Sequence, residues 1–228
     1  MAASRCILHI GLHKTGSTSI QHFLRANRGR LKSLGIDFYG GCHIDENHVE
    51  LRAATMRPGR SSTFRLTSGI ACDEAYAATT AARIRSFVSA SSARAVLFSS
   101  EGLSLLRYED EVRRLASMLA PEVQLIVYVR DKADYLRSHA GQLRKLGIPF
   151  SDDPDSHAYF GPDTWLADYE QRLAPYRRTF GSKNLTVIDY DEALRNDGSV
   201  IPSFLSAIGV RDAFGPDTWR DIHLNRSA

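Results

Sequence analysis

The sequence has few cysteines, no long apolar run and little net charge. Cys6, Cys42 and Cys72 are odd in number, lie far apart and form no C-x-x-C pair, which argues against a disulfide framework and against a zinc site. The first apolar run, residues 6–10, is too short for a signal peptide, and no run reaches the roughly 18 residues of a membrane span. We therefore expect a cytoplasmic protein without a membrane span.

The charge is nearly balanced, with 29 basic and 26 acidic residues, a net charge of +3 and a pI near 8.8. A nucleic-acid-binding protein normally concentrates basic residues on one element, and this sequence does not. An anionic small ligand remains compatible with the composition. Only five of the basic residues are lysines, so a single arginine carries little information unless its position is special.

With 228 residues and 43% hydrophobic content, the chain is long enough for one domain with a sizeable core, and we expect a single domain over residues 1–228. Four short apolar runs are typical of strands covered on both faces. They lie at residues 6–10, 95–98, 123–129 and 185–188. Helical spacing of apolar residues follows three of them, which predicts an α/β fold with a central parallel sheet flanked by helices.

Two longer segments interrupt this alternation. Residues 40–92 predict a helical insertion, with helical patterns at 46–56 and 73–90 around a polar turn at 57–69. Residues 151–162 predict a long loop, which is either a binding loop or a plain surface insertion. The string FGPDTW occurs twice, at 160–165 and 214–219, and we interpret it as a repeated helix-start signal.

The segment GLHKTGSTS, residues 11–19, joins the first predicted strand to a helix. A turn rich in glycine and hydroxyl residues gathers backbone N–H groups at the positive end of a helix dipole, which suits a phosphate. A solvated turn with a Ser or Thr N-cap is the plainer alternative. The nucleotide-triphosphatase pattern G-x-x-x-x-G-K-[ST] is absent, because Lys14 precedes Gly16 by two positions.

This segment resembles the 5′-phosphosulfate loop of sulfotransferases that use 3′-phosphoadenosine 5′-phosphosulfate (PAPS), whose pattern is close to P-K-[ST]-G-[ST]-T. His13 stands where that family usually has proline. The resemblance implies a P-loop-like sulfotransferase fold and six residues that hold the 5′-phosphosulfate. They are Lys14, Thr15, Gly16, Ser17, Thr18 and Ser19.

The same family binds the 3′-phosphate of its nucleotide with an arginine at the end of a later strand and a serine eight positions on. Arg130 follows the run 123–129, and Ser138 lies eight positions further. An arginine fork forms bidentate, charge-assisted hydrogen bonds to phosphate, and a serine on the next helix adds a hydroxyl donor. Taken separately, an ordinary strand-end arginine and a helix-surface serine would explain both residues.

Glu101 follows the strand predicted at 95–98, where the resembling enzymes carry the general base. The resemblance implies that Glu101 takes the proton from the acceptor hydroxyl and that Lys14 stabilises the departing nucleotide, PAP. It also implies that no metal is needed. The alternative is that Glu101 is simply a glutamate at a helix N-terminus, stabilised by the helix dipole. This alternative is compatible with a role as general base. Glutamate at this place is common in the branches that modify glycans, so we expect a small-molecule or glycan acceptor, more specifically a carbohydrate or glycosylated metabolite.

The acceptor side is less defined. His13, His43 and His48 are candidates for substrate binding, and residues 40–92 are expected to shape the acceptor pocket. The string HIDENH, residues 43–48, also permits a metal site, which we disfavour because its spacing is irregular. His139 is expected on a helix surface. The resemblance weakens after Gly209, where Asn225, Arg226 and Ser227 are weak candidates for nucleotide contacts, and we expect either an unusually early end or a missing C-terminal segment.

Two other classes remain open. An ATP-dependent small-molecule kinase would need an acidic magnesium ligand at a strand end, for which Asp131 is the candidate. A non-catalytic nucleotide-binding protein would have Glu101 directed to solvent rather than towards Lys14. The sequence defines neither the oligomeric state nor the acceptor.

Overall fold

The computed structural model describes residues 3, 5–220 and 222. Five strands form its sheet: β1 (Arg5–His9), β2 (Ile36–Phe38), β3 (Ala95–Ser99), β4 (Glu122–Val129) and β5 (Leu185–Asp189). The strands are all parallel and lie in the order β2-β3-β1-β4-β5. Since β1 is the central strand, the segment that follows it begins in the middle of the row formed by the carboxyl ends of the strands.

Ten α-helices connect or follow these strands in the described residues. They are α1 (Ser17–Ala26), α2 (Arg28–Ser33), α3 (Val49–Thr55), α4 (Thr63–Thr67), α5 (Glu74–Ala90), α6 (Glu109–Ala116), α7 (Lys132–Lys145), α8 (Tyr169–Phe180), α9 (Tyr190–Asp197) and α10 (Ile201–Ala207). Short 3₁₀ turns begin at Glu101, Trp165, Ser182, Arg211 and Pro216. None of the helices described here is long and apolar enough to cross a membrane.

The strands bury side chains on both faces of the sheet, as expected for parallel strands. In β1, Cys6 and Leu8 pack into one hydrophobic cluster with α3, α5, α6 and α8, while Ile7 packs into the other with α1, α9 and α10. In β4, Leu125 and Ile126 divide between the clusters in the same way. Two apolar layers therefore fix the sheet between helices, which confirms the predicted α/β architecture.

The register brings three connecting loops together. His9, the last residue of β1, lies opposite Ser99 of β3 and Ile126 of β4. Because parallel strands end at the same edge of a sheet, ligands of such folds bind at the carboxyl ends of the strands. The loops that carry Lys14, Glu101 and Arg130 all start from this edge.

The four predicted strands agree with β1, β3, β4 and β5, whereas β2 was not predicted. The insertion contains α3 and α5, close to the predicted helical patterns, and the segment predicted as a turn at 57–69 also contains α4. The two FGPDTW strings each lead into a short 3₁₀ turn rather than an α-helix. Trp165 and Trp219 of these strings are buried in opposite hydrophobic clusters.

Candidate active site

The loop between β1 and α1 has an unusual backbone. Lys14 has φ 64°, the one positive φ of a non-glycine residue in the described chain, and Gly16 has φ 77°. The Thr15 hydroxyl donates a 2.7 Å hydrogen bond to the Leu12 carbonyl, which ties the loop to itself. Since left-handed backbone costs a lysine free energy, the loop holds Lys14 in a defined, strained position.

Two glycines allow this loop to fold closely. A Cβ on Gly11 would lie 2.4 Å from the Ser17 Oγ, and a Cβ on Gly16 would lie 2.7 Å from Val200 Cγ2. Gly16 is the N-cap of α1 and has no side chain to accept the first N–H groups of that helix. The start of α1 therefore presents backbone donors and the positive end of its dipole at the sheet edge, as in anion-binding sites.

Arg130 directly follows β4 and contacts the same loop. Its Nη1 donates a 3.1 Å hydrogen bond to the Lys14 carbonyl, and its Nη2 lies 3.5 Å from an Asp134 carboxylate oxygen. The guanidinium carbon lies 5.2 Å from the centre of the Tyr190 ring. Its Nε is buried and has no hydrogen-bond acceptor among the described residues.

Ser138 lies in the second turn of α7. Asp131 caps this helix by accepting a 3.0 Å hydrogen bond from the Asp134 N–H. The helix starts two residues after Arg130, so that Arg130 and Ser138 are held by one continuous segment. Gln142, one helical turn beyond Ser138, faces the same cavity.

A cavity of about 560 Å³ lies at this edge of the sheet. Its volume is in the range of small-molecule sites. Eight of the predicted site residues line it: Lys14, Gly16, Ser17, Thr18, Ser19, Glu101, Arg130 and Ser138. Thr15 does not line it, because this residue is fully buried beneath the loop.

Glu101 is the first residue of the 3₁₀ turn after β3 and is half-buried. Withdrawal of its carboxyl group from water raises its pKa to about 7, and the nearby Lys14 charge opposes this shift. A carboxyl group of this pKa exchanges a proton near neutral pH, which is the property of a general base or acid. Lys14 and Glu101 thus face the same cavity and interact electrostatically.

Further lining residues were not predicted from the sequence. They are Gln142, Tyr190, Asp191, Leu194, Gly198, Ser199, Val200 and Ile222. Tyr190 directly follows β5, so its strand-end position was a signal that the sequence contained. The residues of α9 and the turn after it carry no comparable signal, because their side chains are of common types in an ordinary helix.

The predicted histidines lie in different surroundings. His13 is half-buried next to Lys14. His43 is exposed, with its Nε2 3.1 Å from the Tyr76 hydroxyl, and His48 is fully buried, with its Nδ1 accepting a 3.0 Å hydrogen bond from the Ser99 N–H. The cavity lining includes none of these three histidines, and only His13 adjoins it, through its sequence neighbour Lys14.

The expectation for His139 is wrong, since this side chain is 1% exposed. Its ring stacks on Tyr135 with centroids 5.7 Å apart, and its Nε2 lies 2.8 Å from the His157 carbonyl. In the part of the chain that the structure describes, no three His, Cys, Asp or Glu side chains are grouped as metal ligands. Asn225, Arg226 and Ser227 lie outside the described residues.

The chain matches no protein-family model, and no curated protein is significantly similar to it in sequence. Solved structures do match. A sulfotransferase from Alicyclobacillus acidocaldarius is 17% identical with a TM-score of 0.58, covering 99% of this chain and 87% of its own. The sulfotransferase domain from the curacin biosynthetic pathway is 13% identical with a TM-score of 0.51, covering 96% of this chain and 77% of its own.

These likenesses extend over almost the whole chain and confirm one prediction. The chain has the sulfotransferase fold, a parallel sheet flanked by helices with a P-loop-like segment after the first strand.

Proposed function

We propose that this protein is a PAPS-dependent sulfotransferase that moves a sulfuryl group to a hydroxyl of a small-molecule or glycan acceptor. One observation carries the proposal. The loop at residues 14–19 and the pair Arg130 and Ser138 line a single cavity and are joined by the hydrogen bond from Arg130 to the Lys14 carbonyl. Two anion-binding segments on one cavity suit a nucleotide with phosphates at both ends.

The residues present fit such a nucleotide. The N-terminus of α1 and Lys14 offer donors and positive charge for the 5′-phosphosulfate. The guanidinium group of Arg130 and the Ser138 hydroxyl are the donors for the 3′-phosphate, since both residues line the cavity. Thr15 would support the loop rather than touch the phosphate, because its hydroxyl already donates to Leu12.

In the proposed reaction, the acceptor oxygen attacks sulfur while the bond from sulfur to the 5′-phosphate oxygen breaks in line. Glu101, as the carboxylate, takes the hydroxyl proton, a contribution of about 10²- to 10⁴-fold in rate. Lys14 stabilises the negative charge on the departing phosphate oxygen. PAPS supplies the activated sulfuryl group, and the protein supplies position, a base and positive charge.

The acceptor is proposed to approach from the side of the insertion. Residues 40–92 and 151–162, within one domain of residues 1–228, would shape its pocket. Arg52 of α3 supports this, since its Cδ is 3.0 Å from where a Cβ of Gly102 would lie, one residue from Glu101. The half-buried His13, next to Lys14, would contact the acceptor. A carbohydrate or glycosylated metabolite is the acceptor class we favour.

The kinase and scaffold alternatives find less support. Asp131, the acid that a kinase would need, is exposed and caps α7. Glu101 faces the cavity together with Lys14 rather than solvent, as catalysis requires and a passive scaffold does not. Asp191 does line the cavity, so the test includes ATP with magnesium.

Calorimetric titration with PAP and with magnesium-ATP tests the proposal. We expect PAP to bind at least about tenfold more tightly than magnesium-ATP, because the charge-assisted contacts of Arg130 require a 3′-phosphate. Tight binding of ATP together with no binding of PAP would refute the sulfotransferase function.

A further inference from the structure

Beside the proposed reaction centre lies a group of basic side chains, most of them buried, which we call the basic cluster: His13, Arg52, His139, His157 and Arg172. The exposed fractions of Arg52, His139, His157 and Arg172 are 7%, 1%, 3% and 1%. The His139 ring centre lies 5.3 Å from that of His13 and 6.4 Å from that of His157. Burying basic side chains costs free energy unless hydrogen-bond acceptors or negatively charged groups pair with them.

Several polar atoms of the basic cluster have no partner within the described chain. Arg52 leaves both Nε and Nη2 unpaired, and the buried Nδ1 atoms of His13 and His139 are also unpaired. Both ring nitrogens of His157 are likewise unpaired. Buried polar atoms are nearly always hydrogen-bonded in folded proteins, so this concentration of unpaired atoms indicates a site for another molecule.

The neighbouring carboxylate, Glu111, makes no hydrogen bond to Arg52. Glu111 is fully buried, and its two oxygens accept hydrogen bonds from the Arg60 Nη1 and from the backbone N–H groups of Arg57, Arg107 and Tyr108. Its acceptor capacity is therefore used. Arg172 in turn donates to the Ser104 carbonyl and hydroxyl and to the Leu166 carbonyl, which leaves Arg52 as the cation with free donors.

The basic cluster offers an acceptor atom as well as donors. His139 Nε2 lies 2.8 Å from the His157 carbonyl, and because a carbonyl only accepts, that nitrogen carries the proton. The Nδ1 of a neutral His139 is then a free acceptor. A hydroxyl group satisfies such an acceptor, whereas an anion satisfies the Arg52 donors.

Three members of the basic cluster adjoin residues of the proposed site. His13 is bonded in sequence to Lys14, and Arg52 packs against Gly102 beside Glu101. His139 is adjacent to Ser138, and the Lys14 charge helps to lower the pKa of its ring. A molecule held by Arg52 and His13 would therefore present its neighbouring groups to Lys14 and Glu101.

We propose that the basic cluster binds the acceptor, and that this acceptor is an acidic carbohydrate whose anionic group pairs with Arg52 and whose hydroxyls bond to the histidines. The inference rests on the proposed function and names the acceptor class of that same site. The anionic group is a carboxylate or a sulfate or phosphate ester, since all three match a guanidinium fork. The cluster selects a charged sugar over its neutral counterpart.

The test uses full-length protein saturated with PAP. Glucuronate, glucose 6-sulfate, glucose 6-phosphate and glucose are titrated, and the ring signals of His13 and His139 are followed by NMR. We expect at least one acidic sugar to bind about tenfold or more tightly than glucose, as the loss of one charge-assisted hydrogen bond would suggest, and to shift both ring signals. The three acidic sugars distinguish carboxylate, sulfate and phosphate.

Arg52→Gln should remove the preference for the acidic sugar, and Arg52→Lys should retain part of it. Arg85→Gln, which removes an exposed arginine of α5, is the matched control and should change nothing. If Arg52→Gln does not fold, the comparison of sugars on the unmodified protein decides alone.

Equal binding of acidic and neutral sugars, or the absence of ring shifts with every sugar, would overturn the inference and leave ordered water as the occupant of the cluster. An equal loss of the preference for the acidic sugar in Arg85→Gln would also overturn the inference. A failure of PAP itself to bind refutes the proposed function instead, so the two failures are distinguishable.

Discussion

At the scale of single residues, Lys14 combines a strained backbone with a charge directed at the cavity. A φ of 64° on a lysine persists because the Thr15 and Arg130 hydrogen bonds hold the loop on both sides. Lys14 and Glu101 line the same cavity, and the Lys14 charge acts to lower the pKa of Glu101. The arrangement is therefore preorganised for charge that develops at one point.

Replacing Lys14 by methionine should lower kcat by about 10²- to 10³-fold, since one preorganised positive group is lost from the transition state. The fold should persist, because the ammonium group makes no buried ion pair with the residues that the structure describes. Steady-state rates with PAPS, together with circular dichroism as a control of folding, test this expectation. A variant with more than half of the original kcat would contradict the role of Lys14.

The pH profile should report the Glu101 carboxyl group, whose pKa is raised to about 7 by burial. The base acts as the carboxylate, so kcat/KM should rise with pH up to about 7 and then level off. Glu101→Gln should abolish this dependence and most of the turnover while PAP still binds. An unchanged profile in that variant would exclude Glu101 as the base.

The same residue should influence stability in the opposite direction to activity. A raised pKa means that the folded protein binds the Glu101 proton more strongly than the unfolded chain does, so stability decreases as the pH rises from about 4.5 to about 7. Glu101→Gln should therefore raise the melting temperature at pH 8 but not at pH 4.5. A lower melting temperature at pH 8 would show that the carboxylate is a stabilising group.

Lys14, Glu101 and Arg130 were predicted from the resemblance of their segments to sulfotransferase motifs, and each segment follows an apolar run. The burial of His139 could not be predicted, because helical periodicity treats histidine as polar, whereas here Tyr135 and Phe160 pack around its ring. Of the basic cluster only His13 was a candidate from the sequence, since the other members come from distant segments that only the fold brings together.

At the scale of elements, the turn into α1 depends on a glycine. Gly16→Ala should destabilise the protein by about 1–2 kcal/mol, because an alanine at φ 77° is strained, and its Cβ would press on Val200. The affinity for PAP should also fall, because the added Cβ forces the phosphate-binding loop to shift. Chemical denaturation and calorimetry measure both effects.

Gly29 of α2 gives the matched control. A Cβ there meets nothing within 4 Å, and an alanine inside a helix is favoured over glycine by about 0.5–1 kcal/mol. Gly29→Ala should therefore stabilise the protein and leave PAP binding unchanged. If both alanine variants behaved alike, the special role of Gly16 would be lost.

Among the elements, long apolar runs predicted their strands well, whereas β2 escaped prediction because it has only three residues. The helical pattern over residues 20–34 was continuous in the sequence, yet Asn27 separates α1 from α2. Asn27 donates its side-chain amide to the Phe23 carbonyl at 2.9 Å. Such local competition for backbone groups is not visible in hydrophobic periodicity.

At the scale of the whole molecule, buried neutral histidines should set the acid limit of stability. Burial lowers the pKa of His9, His48 and His157 to about 3 and that of His139 to about 4. Below the ordinary value of 6.5 the unfolded chain binds these protons and the folded protein does not, so stability is lost as the pH falls from 6.5 towards 3.

Each such group contributes a slope of up to about 1.4 kcal/mol per pH unit, and the several histidines outweigh the single opposing Glu101. The free energy of unfolding should therefore drop steeply between pH 6.5 and 4.5, as measured by denaturant titrations at fixed ionic strength. A flat profile over this range would mean that the rings are hydrated and able to ionise in place.

The central claim is that one nucleotide bridges the loop at residues 14–19 and the pair Arg130 and Ser138. Calorimetry of Arg130→Gln with PAP and with 5′-AMP, which lacks the 3′-phosphate, tests it most directly. We expect PAP to lose tenfold or more in affinity relative to the unmodified protein, and 5′-AMP to lose distinctly less, since only the contact with the loop is disturbed. Equal losses for the two nucleotides would contradict the claim.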